Sequence, residues 1–295
     1  MRSTTALTPA AKLYLDLLKS CLTRELFGQA YRPLAPYSPM RARINRWIQR
    51  LLSRRQLVLM VKTAPQARAE GRDWPIDAET MVGRLRLENL ESCIVEVLDR
   101  GVPGDLLEAG VWRGGATILM RAVLRACGDS QRVVWAADSF QGLPRPDLER
   151  FPADRVWQGL EMDIAVPLGD VKANFEKYGL LDDQVRFLPG WFSETMPRAP
   201  VDRLAILRLD GDMYESTIQV LAALYPKVSA GGYVIVDDYA LASCKAAVDD
   251  FRAQHTITEP LETIDWTGVY WRKLSEGPGR TGQVTHRADD PRSLA

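Results

Sequence analysis

Two aspartate pairs are placed to do chemistry together: Asp210 and Asp212 in Leu209-Asp210-Gly211-Asp212, and Asp237 and Asp238 in Val236-Asp237-Asp238-Tyr239. Each pair follows a short apolar run, Leu204–Leu209 or Tyr233–Val236, that reads as a β-strand. Four carboxylates then converge on one rim of a sheet. Like charges this close oppose one another unless something neutralises them, and a hard dication is the economical partner. Magnesium or calcium suits an all-oxygen set, and no histidine or cysteine lies beside these residues to favour zinc. One such pair alone is often only a helix cap; two pairs on adjacent units are poorly explained as caps.

Other strand ends carry a second kind of chemistry. Glu108-Ala109-Gly110-Val111-Trp112-Arg113-Gly114-Gly115 supplies glycines where the backbone must turn tightly and approach a ligand. The spacing departs from the G-x-G-x-x-G of dinucleotide sites and suits an amino-acid moiety better than a pyrophosphate. Asp138, with Ser139 beside it, follows Gly110 by 28 residues, one βαβ repeat, where a carboxylate can accept both ribose hydroxyls of an adenosyl group. Gly190-Trp191-Phe192-Ser193 offers aromatics and a hydroxyl for an adenine, although Trp191 and Phe192 also read as core.

The elements that must position these residues follow from periodicity. Strands are expected at Asp105–Ala109, Val133–Ala137, Val185–Leu188, Leu204–Leu209, Tyr233–Val236, Leu261–Ile264 and Val269–Arg272. Helices are expected at Ala116–Ala126, Val171–Tyr178, Glu215–Tyr225 and Ser243–His255. The alternation predicts an α/β fold: a doubly wound, mostly parallel seven-stranded sheet. The last two strands are separated only by Asp265-Trp266-Thr267-Gly268, too short for a parallel crossover, so they form an antiparallel hairpin that puts one reversed strand at the end of the sheet. Residues 1–100 read as a helical extension for lid or oligomer contacts, 101–274 as the catalytic domain and 275–295 as a disordered tail. In the extension, Thr8-Pro9 opens one amphipathic helix. Ile44, Trp47, Ile48, Leu51 and Leu52 line a second helix, backed by Arg43, Arg46, Arg50 and Arg54, a face that reads first as solvated. The long connection from Gln141 to Val166, with Phe151, Trp157 and Met162 as apolar anchors, reads as an acceptor wall or lid.

Bulk properties narrow the partner. The chain has 295 residues, 46% of them hydrophobic, and 38 basic against 38 acidic side chains. That balance lacks the footprint of a dedicated nucleic-acid binder and leaves a small molecule as the expected partner. No run is long and apolar enough to span a bilayer. The four cysteines are widely separated and unpaired in pattern, which with the absence of a leader fits the reducing cytoplasm. The apolar faces of the two N-terminal helices predict a homodimer or higher oligomer.

The chain resembles the macrocin O-methyltransferase family of antibiotic-sugar methyltransferases from about Leu13 to Arg272. The similarity is carried by Tyr14-Leu15-Asp16-Leu17-Leu18-Lys19, Asp73-Trp74-Pro75, Thr80-Met81-Val82-Gly83, Arg86-Leu87-Glu88-Asn89-Leu90, the Gly101–Gly115 stretch, Asp138-Ser139-Phe140-Gln141-Gly142-Leu143-Pro144, Asn174-Phe175 to Leu180, Gly190-Trp191-Phe192, Leu209–Thr217 and Asp237-Asp238-Tyr239. The resemblance implies a class I methyltransferase fold with S-adenosylmethionine (SAM) as methyl donor and magnesium as metal. It implies that Asp210, Asp237 and Asp238 ligate magnesium and that Asp212 is the general base. Thr80, Met81, Glu108, Gly110, Asp138 and Ser139 would line the SAM site, with Val111, Trp112, Trp191 and Phe192 beside them. The implied acceptor is a deoxysugar hydroxyl on a macrolide or related glycosylated natural product. A polysaccharide sugar and a catechol-type phenol are alternative acceptors. A nicotinamide-dependent oxidoreductase and a non-catalytic SAM-binding scaffold are rival readings of the same sheet; the first leaves the aspartates unexplained, the second predicts no dependence on metal.

Overall fold

In the computed structural model, residues 7–27, 31–33, 48, 50–52, 54–57, 59–62, 64–73, 75–159 and 164–275 are described. Most of the arginine-rich helix expected over Ile44–Leu52, Met162, and nearly all of the expected tail lie outside them.

Seven strands form one sheet: β1 Asp105–Ala109, β2 Val134–Asp138, β3 Val185–Pro189, β4 Leu204–Leu209, β5 Val228–Val236, β6 Glu262–Thr263 and β7 Val269–Arg272. Their order is β3-β2-β1-β4-β5-β7-β6. Strands β1 to β5 are parallel, and β7 runs antiparallel to both β5 and β6. The central strands are almost continuously buried, all six residues of β4 among them, because helices cover both faces.

The expected hairpin is present, but its reversed strand lies one position in from the edge. Packing explains this: β7 buries Val269 and Trp271 and takes the inner place, while β6, exposed at both positions, takes the rim. Strand β5 also begins five residues earlier than the alternation predicts, through Val228-Ser229-Ala230-Gly231-Gly232, where a register shift against β4 interrupts the pattern.

Helix α1, Pro9–Leu22, starts as expected, with the Thr8 hydroxyl accepting from the N–H of Ala11 at 3.1 Å. Helix α2, Arg84–Asp99, is the element that periodicity does not reveal. Its N-cap is Gly83, which offers no side-chain cap; its first turn has no acidic residue; and its buried face includes Arg86. Leu87, Leu90, Ile94 and Val97 of that face join Leu106 of β1, Ile206 of β4 and Ile235 of β5 in one apolar cluster. Helices α3 Gly115–Ala126, α4 Leu168–Lys177, α5 Tyr214–Leu224 and α6 Ala242–Gln254 follow β1, β2, β4 and β5. Their bounds fall within three residues of the periodic pattern.

A short two-stranded ribbon, Tyr31–Pro33 with Met60–Lys62, lies outside the sheet. Among the described residues no helix is long and apolar enough to cross a membrane.

Candidate active site

The chain leaves β1 toward one side of the sheet and β4 toward the other, and the crevice that this reversal opens is where open α/β sheets bind ligands. A cavity of about 640 Å³ occupies it and is lined by every site residue expected from sequence. The cofactor set (Thr80, Met81, Glu108, Gly110, Val111, Trp112, Asp138, Ser139, Trp191 and Phe192) and the acidic set (Asp210, Asp212, Asp237 and Asp238) share this one space.

At the β1 end the backbone does most of the positioning. Gly110 has φ +89°, and a Cβ there would lie 1.7 Å from the carbonyl oxygen of Asp210, so only glycine lets the β1 turn pass the β4 turn. Asp138 accepts from the N–H of Val111 at 2.8 Å and the N–H of Phe140 at 2.7 Å. Its carboxylate therefore holds the turn as well as facing the cavity. Residues Ile76–Val82 are fastened across this turn: the Arg113 guanidinium donates to the carbonyl of Ala78 at 2.9 Å, and the N–H of Gly115 to the carbonyl of Glu79 at 2.9 Å. That is how Thr80 and Met81, remote in sequence, reach the sheet. On their outer side the buried Arg68 donates to the carbonyls of Met81 and Val82 at 2.7 and 2.9 Å.

At the β4 and β5 ends charge does the positioning. Arg208, 2% exposed in the middle of the sheet, donates to Asp210 Oδ2 at 2.9 Å and makes close pairs with Glu108 and with Asp237 Oδ1. From α2, Arg86 pairs closely with the other Asp237 oxygen and donates to Asp265 at 2.9 Å. Glu108, Asp210, Asp212, Asp237, Asp238 and Asp265 nevertheless outnumber these two guanidiniums by four. The excess is felt in the titrations. Burial, then Asp210 and Asp237, pushes the Asp212 carboxyl up to about 7. Burial and the three neighbouring aspartates hold Asp238 well above the usual carboxylate range. Glu108 is raised to about 7 by burial in spite of Arg208.

Oxygens of Asp210, Asp237 and Asp238 lie within 4.8 Å of one another. An oxygen-only trio with uncompensated negative charge fits a hard dication. Asp237 is the constrained member, because both its oxygens already face arginines, and a metal would share one of them.

Asp212 stands beside the trio. Its φ of +57° places it in the left-handed region, at a cost of roughly 1–2 kcal/mol for a residue with a side chain. Its N–H donates to Asp238 Oδ2 at 3.0 Å, and its carbonyl accepts from Ser243 Oγ at 3.0 Å. Among the described residues its own carboxylate accepts no hydrogen bond. A carboxylate turned into a cavity, free of partners and titrating near neutrality, is equipped to accept a proton.

The Gln141–Val166 connection supplies Leu143, Pro144, Arg145 and Ile164 to the cavity mouth. Two of its expected anchors are seated: the Phe151 ring lies 6.0 Å from that of Tyr214, and Trp157 Nε1 donates to Ser243 Oγ at 3.0 Å.

The site also holds residues that sequence reasoning passed over: Arg86, Arg208, Asp265, Trp266 and Thr267. A signal existed for one of them, since an arginine inside the otherwise apolar Leu204-Ala205-Ile206-Leu207-Arg208-Leu209 has to meet buried acid.

Known proteins share both sequence and shape with this chain. The macrocin-O-methyltransferase (TylF) family matches residues 11–273. The 8-demethyl-8-(2,3-dimethoxy-alpha-L-rhamnosyl)-tetracenomycin-C 4'-O-methyltransferase of Streptomyces olivaceus is 49% identical over 265 residues, covering 89% of this chain and 93% of that protein. The mycinamicin III 3''-O-methyltransferase of Micromonospora griseorubida is 44% identical over 266 residues, covering 89% and 96%. The solved structure of the O-methyltransferase NovP superposes with a TM-score of 0.77 at 46% identity, covering 90% of this chain and all of that one.

Proposed function

This chain belongs to the macrocin O-methyltransferase family and is a SAM-dependent O-methyltransferase, and from that premise we propose that it methylates a deoxysugar hydroxyl of a glycosylated natural product with a magnesium ion as cofactor. Membership of an enzyme family removes the oxidoreductase and scaffold readings. The observation that carries the proposal is the juxtaposition of Asp210, Asp237 and Asp238 with the unpartnered carboxylate of Asp212 in one cavity. The sugar part of the reading is supported by the relatives' names, one of which specifies a rhamnosyl group. Those names give different positions, 4' and 3''.

A sugar hydroxyl holds its proton too tightly to attack a sulfonium at neutral pH, which is the difficulty the residues must solve. When bound, magnesium would acidify an acceptor hydroxyl and SAM would supply the methyl group. Asp210, Asp237 and Asp238 would hold the metal. Asp212 takes the hydroxyl proton on its carboxylate oxygen; a base titrating near the working pH suits that transfer. Asp138 and the Gly110 turn orient the donor, with Thr80, Met81, Trp191 and Phe192 closing around it. Leu143, Pro144 and Arg145 wall the acceptor side. Holding the reacting oxygen and methyl in line is worth about 7–11 kcal/mol of the barrier.

A mass-shift screen against methyl-free glycosides identifies the acceptor. With it, Asp237→Asn is expected to abolish turnover in saturating magnesium while calorimetry still shows SAM binding; undiminished activity in EDTA overturns the metal reading. Leu13 and Leu17 of α1, 71% and 53% exposed, support the homodimer or higher oligomer, which sedimentation measures.

A further inference from the structure

Helix α5 begins directly after the Asp212 corner without a cap of its own: its N-cap residue, Met213, makes no side-chain hydrogen bond. The cap arrives from 60 residues upstream. Asp154, fully buried, accepts from the N–H of Tyr214 at 2.6 Å and from the N–H of Glu215 at 3.0 Å, one on each carboxylate oxygen. Three residues further on, Trp157 Nε1 donates to Ser243 Oγ at 3.0 Å. An indole N–H only donates, so the serine hydroxyl must accept from it. The single serine proton is thereby committed to its other partner, the carbonyl oxygen of Asp212 at 3.0 Å.

Both links start in one short 3-10 stretch, Pro152–Trp157, and end on either side of the corner between Asp212 and Tyr214. That corner holds Asp212 at φ +57°, a conformation that is costly for a residue with a side chain and so gains from surroundings that fix it. We propose that the Pro152–Trp157 stretch is a clamp on the base: Asp154 and Trp157 are positioning residues that fix the Asp212 carboxylate toward the acceptor, and neither touches the reacting atoms. The inference rests on the reading of Asp212 as the general base. It also gives the long connection after β2 a second duty, since the segment that lines the acceptor side of the cavity through Pro144 and Arg145 is the one that secures the proton acceptor.

The test uses the full chain, S-adenosylhomocysteine for the exchange measurements, and the glycoside found by the mass-shift screen for turnover. In Asp154→Ala, amide hydrogen exchange at Tyr214 and Glu215 is expected to accelerate at least tenfold. In both Asp154→Ala and Trp157→Phe, kcat is expected to fall at least tenfold while the KM and the calorimetric affinity for SAM stay within twofold. Asp154→Asn, which keeps one accepting oxygen, should recover part of the loss. Val156→Ala, a change at a 59% exposed position in the same stretch, should behave as wild type. Unchanged kcat in both clamp variants overturns the proposal, and so does a parallel fall of kcat and SAM affinity, which marks general loosening. If Asp154→Ala does not fold, Trp157→Phe, which removes the indole N–H and keeps an aromatic ring, carries the decision. Asp212→Asn separates the two readings: wild-type turnover there removes the base assignment, while amide exchange and the kcat split still judge the clamp.

Discussion

The two halves of the cavity are built on opposite principles. The half at β1 and β2, the donor half in the proposed function, is held by peptide geometry: a glycine that no other residue can replace, N–H groups meeting Asp138, and a strap at Ile76–Val82 tied by carbonyls. The half at β4 and β5, the proposed acceptor half, is held by ionised side chains whose charges do not balance. A fixed cofactor asks for a rigid cradle. Proton removal asks for groups that can change charge state, and those are more costly to bury.

The contrast can be broken most forcefully at Gly110. Gly110→Ala places a methyl group against the Asp210 carbonyl and is expected to cost at least about 4 kcal/mol of stability together with SAM binding, read by denaturant titration and calorimetry. Arg208→Met strikes the other half. It leaves Glu108 and Asp237 buried with one partner fewer, a loss of about 3 kcal/mol in denaturant titration. If the halves are independent, SAM affinity of the folded fraction stays within a few-fold; a collapse of SAM binding would show that the acid network also builds the donor site. Asp212→Asn should lower kcat by about 100-fold or more with SAM affinity preserved, as expected for a general base.

The smallest effect sharpens the comparison through pH. Asp212 and Asp238 are raised above their unfolded values, so their contribution favours the fold at low pH and is lost as pH rises, through about 7 for Asp212. Metal-stripped protein should therefore melt lower at pH 8 than at pH 5.5, by about 2–4 °C for each kcal/mol lost. Magnesium should restore most of the difference, and Asp212→Asn should reduce it. A melting temperature that rises over this interval would mean that the arginines already compensate the rim.

The sequence conveyed the positions of the site residues far better than their partners. Asp105–Ala109 and Leu204–Leu209 match their strands residue for residue, because buried parallel strands are plain apolar runs and their ends announce the site. Every carboxylate of the rim is likewise visible as a strand-end residue. Which partner each one meets is not visible: Arg86 reaches Asp237 across 151 residues, from a helix whose glycine cap and buried arginine hide it from periodicity. The register of β5 was obscured by Gly231-Gly232, which break the alternation before Tyr233. Asp154 and Trp157 sit in a connection without any period, so the helix cap and the serine link they provide emerge only from the folded chain.

The hairpin turn between β6 and β7 adds a temporal consequence. Asp265 occupies Arg86, and Thr267 Oγ1 donates to the carbonyl of Asp237 at 3.0 Å, so the end of the described chain closes on the acidic rim. A nascent chain synthesised only as far as α6 already owns the whole donor cradle and all four rim aspartates. It lacks Asp265, the second acidic partner of Arg86, and Thr267, which donates to the Asp237 carbonyl. The last contacts of the acidic rim are therefore contributed later in synthesis than any residue of the Gly110 and Asp138 turns.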